Sequence, residues 1–388
     1  MRKYFGVGSA ALLGLGWDPE AGRWWTWMTP EEVVEEMLHR RKMLRGMGVA
    51  GLAGTAGLLL PVSALVADAQ ELGGRGLDGR GRIGEGDAAD AEKTATKLAV
   101  AYSAAPDADA RRAARAHAYT LLALLRPGGA TMDLGTRARL QAVASDAAAL
   151  VGYGCLDAGQ FAEADRWFRC ALALAREAGD RRLEALATAS SAWPALDAPK
   201  PDRAAALAAF GAAAELQRYL PPAGQSWVFG YLARQHAGLS HDLASGRFLD
   251  VARNAAARIR SDGSGWGWWS THAELGSLNG TRLEVFTGRR SLLLGCPADA
   301  LQIFDGALAS TTAPVRRAFL HENIVQASVA LGDPERAEGS AHTALDECDS
   351  YGIALVASRI RRARRTFPGE WSIRTSTIEL DERLRLAA

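Results

Sequence analysis

The stretch Gly159-Gln160-Phe161-Ala162-Glu163-Ala164-Asp165-Arg166-Trp167-Phe168-Arg169-Cys170-Ala171 constrains the fold more than any other part of the chain. Its apolar positions 164, 167, 168, 171, 172 and 175 follow the i, i+3, i+4, i+7 spacing of an amphipathic helix. Upstream, Ala148, Val151, Gly152 and Cys155 supply a matching first helix. Small residues at Gly152, Ala164 and Ala171 let the two helices approach closely, and Phe168 fills the space they leave. Hairpins of this kind stack into a superhelix whose concave face usually binds partners rather than carries out chemistry.

The pattern recurs. Pro297 to Ala307 repeats it with Ala300 and Phe304, and Gly332 to Ala337, followed by Ala341 and Ala344, repeats it with Ala in the Phe slot. Pro201 to Ala213 is a weaker copy with Ala206, Phe210 and Ala213 in register, and Gly246 to Val251 is weaker still. The key Ala or Val positions are then 164, 206, 251, 300 and 337. Their gaps exceed the roughly 34 residues of the shortest helical-hairpin repeats, so the units are degenerate, with longer helices or loops. Few runs alternate at period two, so no strand is expected. The expected fold is all-α, a helical-hairpin solenoid with a short N-terminal helical extension. Its packing residues are Gly152, Ala164, Phe168, Ala171, Phe210, Ala300, Phe304 and Ala337. The alternative is an Ala-rich bundle without repeats.

Three segments are expected. Residues 1–30 are the remnant of an N-terminal helical domain. Residues 31–87 hold a junction helix, a Gly/Ala-rich segment and a Gly/Arg linker, and residues 88–388 hold the repeats. Thr29 suits an N-cap, with Pro30 at the first helical position and Glu31 and Glu32 in the first turn. With a net charge of +1 over 388 residues, whole-chain electrostatics do not demand a nucleic-acid partner. Cys155, Cys170, Cys296 and Cys348 form no C-x-x-C pair and read as buried free thiols of a reducing cytoplasm. Arg40-Arg41, the apolar run after them and Ala67-Asp68-Ala69 together have the outline of a twin-arginine export signal. Roughly forty residues precede the arginines, far more than an ordinary charged leader. Glycines and Pro61 also interrupt the apolar run. A small-residue helix joining two domains is favoured, with a cytoplasmic location.

No motif proposes a reaction. Gly74 to Gly79 matches G-x-G-x-x-G but lacks the preceding strand and following helix that a dinucleotide site needs. His236 and His241 are five apart, not the four that place two ligands on one helix face. No catalytic residue, cofactor or metal is expected, and the chain reads as a non-enzyme. The cluster Trp266, Trp268 and Trp269 is the candidate ligand groove, since aromatic rings give large contact area at low entropy cost. Packing between adjacent hairpins is its other reading. Trp24, Trp25 and Trp27 read as glue between the junction helix and the repeats. The run Arg359, Arg361, Arg362, Arg364 and Arg365 reads as a solvated helix face in preference to a phosphate site.

Taken together, the layout resembles the tetratricopeptide-repeat regulatory part of actinobacterial helix-turn-helix transcriptional regulators of the Cro/repressor type. Tyr4-Phe5-Gly6-Val7 with Ala10 to Leu15 is similar to the end of that family's DNA-binding domain, and His39 to Gly46 to the arginine-bearing junction after it. Trp268-Trp269 with Glu274-Leu275, then Leu294 to Ala300, resembles a late repeat, and Glu379 to Leu384 resembles the closing helix. The resemblance implies a tetratricopeptide-like solenoid that senses a peptide, protein or small effector. The family's recognition helix would lie upstream of Met1, so no DNA-contacting residue carries over. DNA is then a partner only through a missing N-terminal domain or a second protein. A protein or peptide is the leading partner class, a small effector and a homodimer are further ones, and a membrane is disfavoured. A stand-alone adaptor or an exported repeat protein are the alternatives.

Overall fold

The computed structural model describes residues 15–18, 23–26, 82–126, 130–259, 281–349 and 351–386. The chain divides into two units, Met1–Leu60 and Pro61–Ala388. In the first, β1 (Leu15–Asp18) and β2 (Arg23–Thr26) form an antiparallel pair, with Trp17 opposite Trp24 and Asp18 opposite Arg23. This corrects the expected helical extension. Aromatic residues favour extended backbone. The helical pieces expected at residues 1–13 and after Thr29 lie outside the described residues, as does Trp27.

The second unit is helical throughout its described residues, apart from an isolated bridge between Arg82 and Thr131. Helix α1 (Glu85–Ala104) begins inside the segment read as linker. The Gly84 N–H donates to Asp87 Oδ2 at 2.9 Å, and that bond caps the first turn. Helix α2 (Ala108–Leu125) starts at Asp107, whose carboxylate accepts from the N–H groups of Asp109 and Ala110.

Among the described residues five hairpins follow. They are α3 (Leu134–Asp157) with α4 (Phe161–Glu177); α5 (Arg181–Ser190) and α6 (Ala192–Asp197) with α7 (Arg203–Glu215); α8 (Pro222–Gly238) with α9 (Asp242–Ala256); α10 (Thr281–Leu293) with α11 (Pro297–Ala309); and α12 (Pro314–Leu331) with α13 (Pro334–Asp349). Helices α14 (Ala354–Arg364) and α15 (Thr375–Leu386) come last.

One register runs through all five. A buried residue in the first helix is followed 12, 16 and 19 positions later by three more buried residues. The sets are Gly152, Ala164, Phe168, Ala171; Pro194, Ala206, Phe210, Ala213; Ala233, Ser245, Leu249, Ala252; Gly288, Ala300, Phe304, Ala307; and Val325, Ala337, Ala341, Ala344. In four of them the seventh residue after the first member has positive φ: Gly159, Ser240, Gly295 and Gly332. The third hairpin corrects the sequence reading. Val251 is 39% exposed, and the slot assigned to it belongs to Ser245, whose Oγ donates to the Ala233 carbonyl at 2.7 Å.

The register works by close approach. A Cβ on Gly152 would come within 2.7 Å of the Phe168 ring, and one on Gly288 within 2.5 Å of the Phe304 ring. Each ring therefore lies directly against the facing backbone. Gly288→Ala should cost about 1–3 kcal/mol through overpacking. Phe304→Leu in the same protein should recover part of that loss, whereas additive losses in urea titrations would disprove the contact.

A buried histidine in α2 gives this unit a pH signature. Burial pushes His117 from the ordinary 6.5 down to about 4. The folded state thus holds fewer protons than the unfolded chain between these values. Stability is full above pH 6.5 and is lost as pH falls through 4. His117→Leu should remove about 3 kcal/mol of that acid-side loss. Urea midpoints measured from pH 7 to 4 test this, and parallel profiles for variant and parent would assign the titration elsewhere.

Candidate functional site

Aromatic side chains from three successive hairpins come together. Tyr153 of α3, Trp193 of α6 and Tyr231 of α8 form a connected row. Trp193 Nε1 donates to the Tyr153 hydroxyl at 3.0 Å, and the Trp193 and Tyr231 rings meet edge to face at 4.7 Å. Tyr231 stacks on Phe210 with its centroid 5.1 Å away and meets the Phe286 edge at 4.8 Å. Burial pushes both tyrosine hydroxyls above their ordinary range, so they stay neutral.

Charged groups from five first helices and from α14 surround this row. Asp197, at the end of α6, is held bidentately by Arg359 of α14, at 3.0 Å from Nε and 2.8 Å from Nη2. Arg359 also lies 3.8 Å from Glu322 of α12, whose other partners are Arg289 of α10 at 2.7 Å and Gln326. Burial raises the Glu322 carboxyl, but Arg289 and Arg359 more than reverse this and it ends below its ordinary value. Arg289 also donates to Gln326 Oε1 at 2.7 Å. Arg234 of α8 is half-buried, and burial first, then the like charge of Arg289, push it down to about 10. It remains a cation at neutral pH. Asp157 of α3 accepts from the Tyr102 hydroxyl, and burial raises its carboxyl to about 6.

Four members of the arginine run therefore make contacts inside the fold instead of forming a solvated face, and Arg365 stays exposed. Arg359 takes Asp197, and Arg362 donates at 3.0 Å to the carbonyls of Asp197 and Ala198 at the end of α6. Arg361 donates at 2.8 Å to the Leu384 carbonyl, and Arg364 holds Asp381 bidentately. Arg359 and Arg362 stand at i, i+3, as do Arg361 and Arg364, so one helix grips two partners on two faces. That spacing was the signal in the sequence. The partners were not readable, because Asp197 lies 162 positions away. Further contacts tie the C-terminal part of the chain to the early helices. Arg111 reaches the Tyr351 carbonyl at 3.4 Å, and Phe161 packs on the C-terminal apolar cluster.

Trp266, Trp268 and Trp269 lie outside the described residues. The packing set is buried throughout: Gly152, Ala164, Phe168, Ala171, Phe210, Ala300, Phe304 and Ala337. Cys155, Cys170 and Cys348 are buried, and burial pushes Cys155 and Cys348 up to about 12, whereas Cys296 is exposed, against expectation, at the start of α11. The turn after α8 brings His236 and His241 together, with Nδ1 atoms 3.4 Å apart. A shallow cleft of about 450 Å³ beside them is lined by Leu207, Gly211, Phe229, Leu232, His236 and Phe248. Among the described residues no group of three or more His, Cys, Asp or Glu could hold a metal, and no helix is long and apolar enough to cross a membrane.

No protein-family model matches the chain, and no curated protein matches it. Arg359→Met should cost about 3–5 kcal/mol, because it strands the buried Asp197 carboxylate. Replacing Asp197 by Leu in the same protein should return part of that loss in urea unfolding. A variant as stable as the parent would show the pair to be dispensable.

Proposed function

We propose that this chain is a tetratricopeptide-type regulatory or protein-interaction module that binds an effector on the inner face of its helical hairpins. The common register of five hairpins carries this reading. Ala164 with Phe168, Ala206 with Phe210 and Ala300 with Phe304 keep the Ala-x-x-x-Phe element of that repeat. The hairpins recur every 37 to 55 residues, longer than the roughly 34 of the standard unit. A second support is the chemistry of the inner face. It carries neutral hydroxyls, an amide and guanidinium groups, which are recognition groups.

Together with the resemblance to actinobacterial helix-turn-helix regulators, this favours a non-enzymatic sensor. DNA contact then belongs to a helix-turn-helix outside the described residues or to a partner protein. The test is a transcript profile of the source cells after deletion of the gene. Restoring the full chain, or its Leu243→Ser variant altered at an exposed position of α9, should restore the profile. A Tyr231→Leu chain, shown by its melting curve to be folded, should not. An unchanged profile on deletion would reject the regulatory reading. A partner retained in fixed proportion without any transcript change would make the chain an adaptor.

A further inference from the structure

We infer that the turn between α8 and α9 is a binding site for a divalent transition-metal ion of the zinc class, with His236 and His241 as its two protein ligands through Nδ1. The site is separate from the aromatic row and stands whether or not an effector binds there. On a continuous helix, two residues five positions apart point about 140° away from each other. The chain does not stay helical here. The His241 N–H donates to the His236 carbonyl at 2.9 Å and the Ser240 N–H to the Ala237 carbonyl at 2.9 Å, with Ser240 in the left-handed region at φ 60°. This pair of bonds ends a helix by laying the second residue past it over its last turn, and the two side chains so joined commonly make an apolar contact. Here both are imidazoles, with Nδ1 atoms 3.4 Å apart. The same long bond closes the turns at Cys155 and Gln160, Ser291 and Cys296, and Ser328 and Asp333, and none of these brings two imidazoles together.

The spacing suits a metal. Zinc–imidazole bonds are about 2.0–2.1 Å long, so two such ligands at a tetrahedral angle stand about 3.3 Å apart. Imidazole suits zinc, nickel and copper, whereas magnesium and calcium take oxygen ligands. The Phe248 ring stacks on His236 with centroids 5.0 Å apart and so orients it. Burial and the neighbouring His241 both lower the His236 pKa, which favours the neutral form that a metal needs. His241 holds the N-cap position of α9 yet caps no N–H there, and its ring faces His236 instead. In the metal-free pair one Nδ1 donates its proton to the other. On metal binding that proton moves to Nε2, and both Nδ1 lone pairs meet the ion. The charged groups at the turn have partners of their own. Arg203 donates to the Gly238 carbonyl at 3.2 Å, and Arg290 takes Asp242. Two protein ligands leave the other coordination positions to water, or to a donor group of a molecule seated in the cleft of about 450 Å³ that His236 lines.

The experiment is a calorimetric titration of the full chain with zinc chloride, with magnesium chloride as control. Saturable zinc binding, absent with magnesium and accompanied by a rise in Tm, is expected. His236→Gln and His241→Gln should each weaken it by about tenfold or more. His241 is exposed, so His241→Gln should melt like the parent when no metal is present. Ser240→Gly keeps the left-handed turn and should keep the site. Cys296→Ser removes the exposed thiol at the matching turn of α10 and α11 and should leave binding unchanged. Zinc bound by His241→Gln as tightly as by the parent would overturn the assignment. So would binding that is lost with Cys296, equal responses to zinc and magnesium, or no response to zinc at all.

Discussion

Two helices can share one buried ring only where the backbone facing that ring carries almost no side chain. This constraint sets the geometry of the second unit. Phe168 and Phe304 occupy the volume that a Cβ on Gly152 or Gly288 would need, while Ala164, Ala171, Ala300 and Ala307 keep the flanking surfaces thin. The same device joins one hairpin to the next, because the Phe286 ring of α10 lies against Gly230 of α8. Interiors pack at crystal-like density, so a ring seated on bare backbone fixes where the two helices stand. The abundance of alanine follows from this, since larger residues at these positions would push the helices apart.

Close pairing has a consequence for the inner face. Both helices of a hairpin bury apolar residues, and the first helices in addition carry the polar groups that gather around the aromatic row. Those groups are ordered by forked ion pairs and not by an oily seal. Arg359 grips Asp197, Arg362 satisfies the last carbonyls of α6, and Arg289 grips Glu322. Burying such charges costs several kcal/mol per ion, recovered only when the geometry is good and every oxygen is met. Bidentate geometry meets that condition at Asp197. It brings α14 back to α6, and the apolar cluster of the C-terminal helices adds Phe161 of α4 to the same join.

Three of the five hairpins were legible because they keep Ala and Phe four positions apart. The α12–α13 hairpin was also legible, with Ala341 in the ring slot, because its turn carries Gly332. The α8–α9 hairpin was misplaced by six positions. Ser245 stands where Ala is expected and bonds back to the Ala233 carbonyl, and Leu249 stands in for the ring, so the local pattern pointed to Val251 instead. The strands at Leu15–Asp18 and Arg23–Thr26 escaped because four residues are too few to display a period of two. The inner face was the least legible part. Helical spacing marks Arg359 and Arg362 as a pair, but nothing local says that Asp197 awaits them. The tryptophans chosen from the sequence, Trp266, Trp268 and Trp269, fall outside the described residues, and the aromatic row comes instead from Tyr153, Trp193 and Tyr231.

The charges around the aromatic row are coupled. Arg289 and Arg359 act on Arg234 as like charges, and Asp197 offsets part of that. Arg359 stands differently, because Asp197 and Glu322 outweigh the cost of its burial and hold it firmly as a cation. It is also the residue that ties α14 to α6, and it lies 3.8 Å from Glu322 of α12. One guanidinium thus joins the carboxylates of two hairpins to the docking of α14, so a change at either carboxylate is felt at the C-terminal helices.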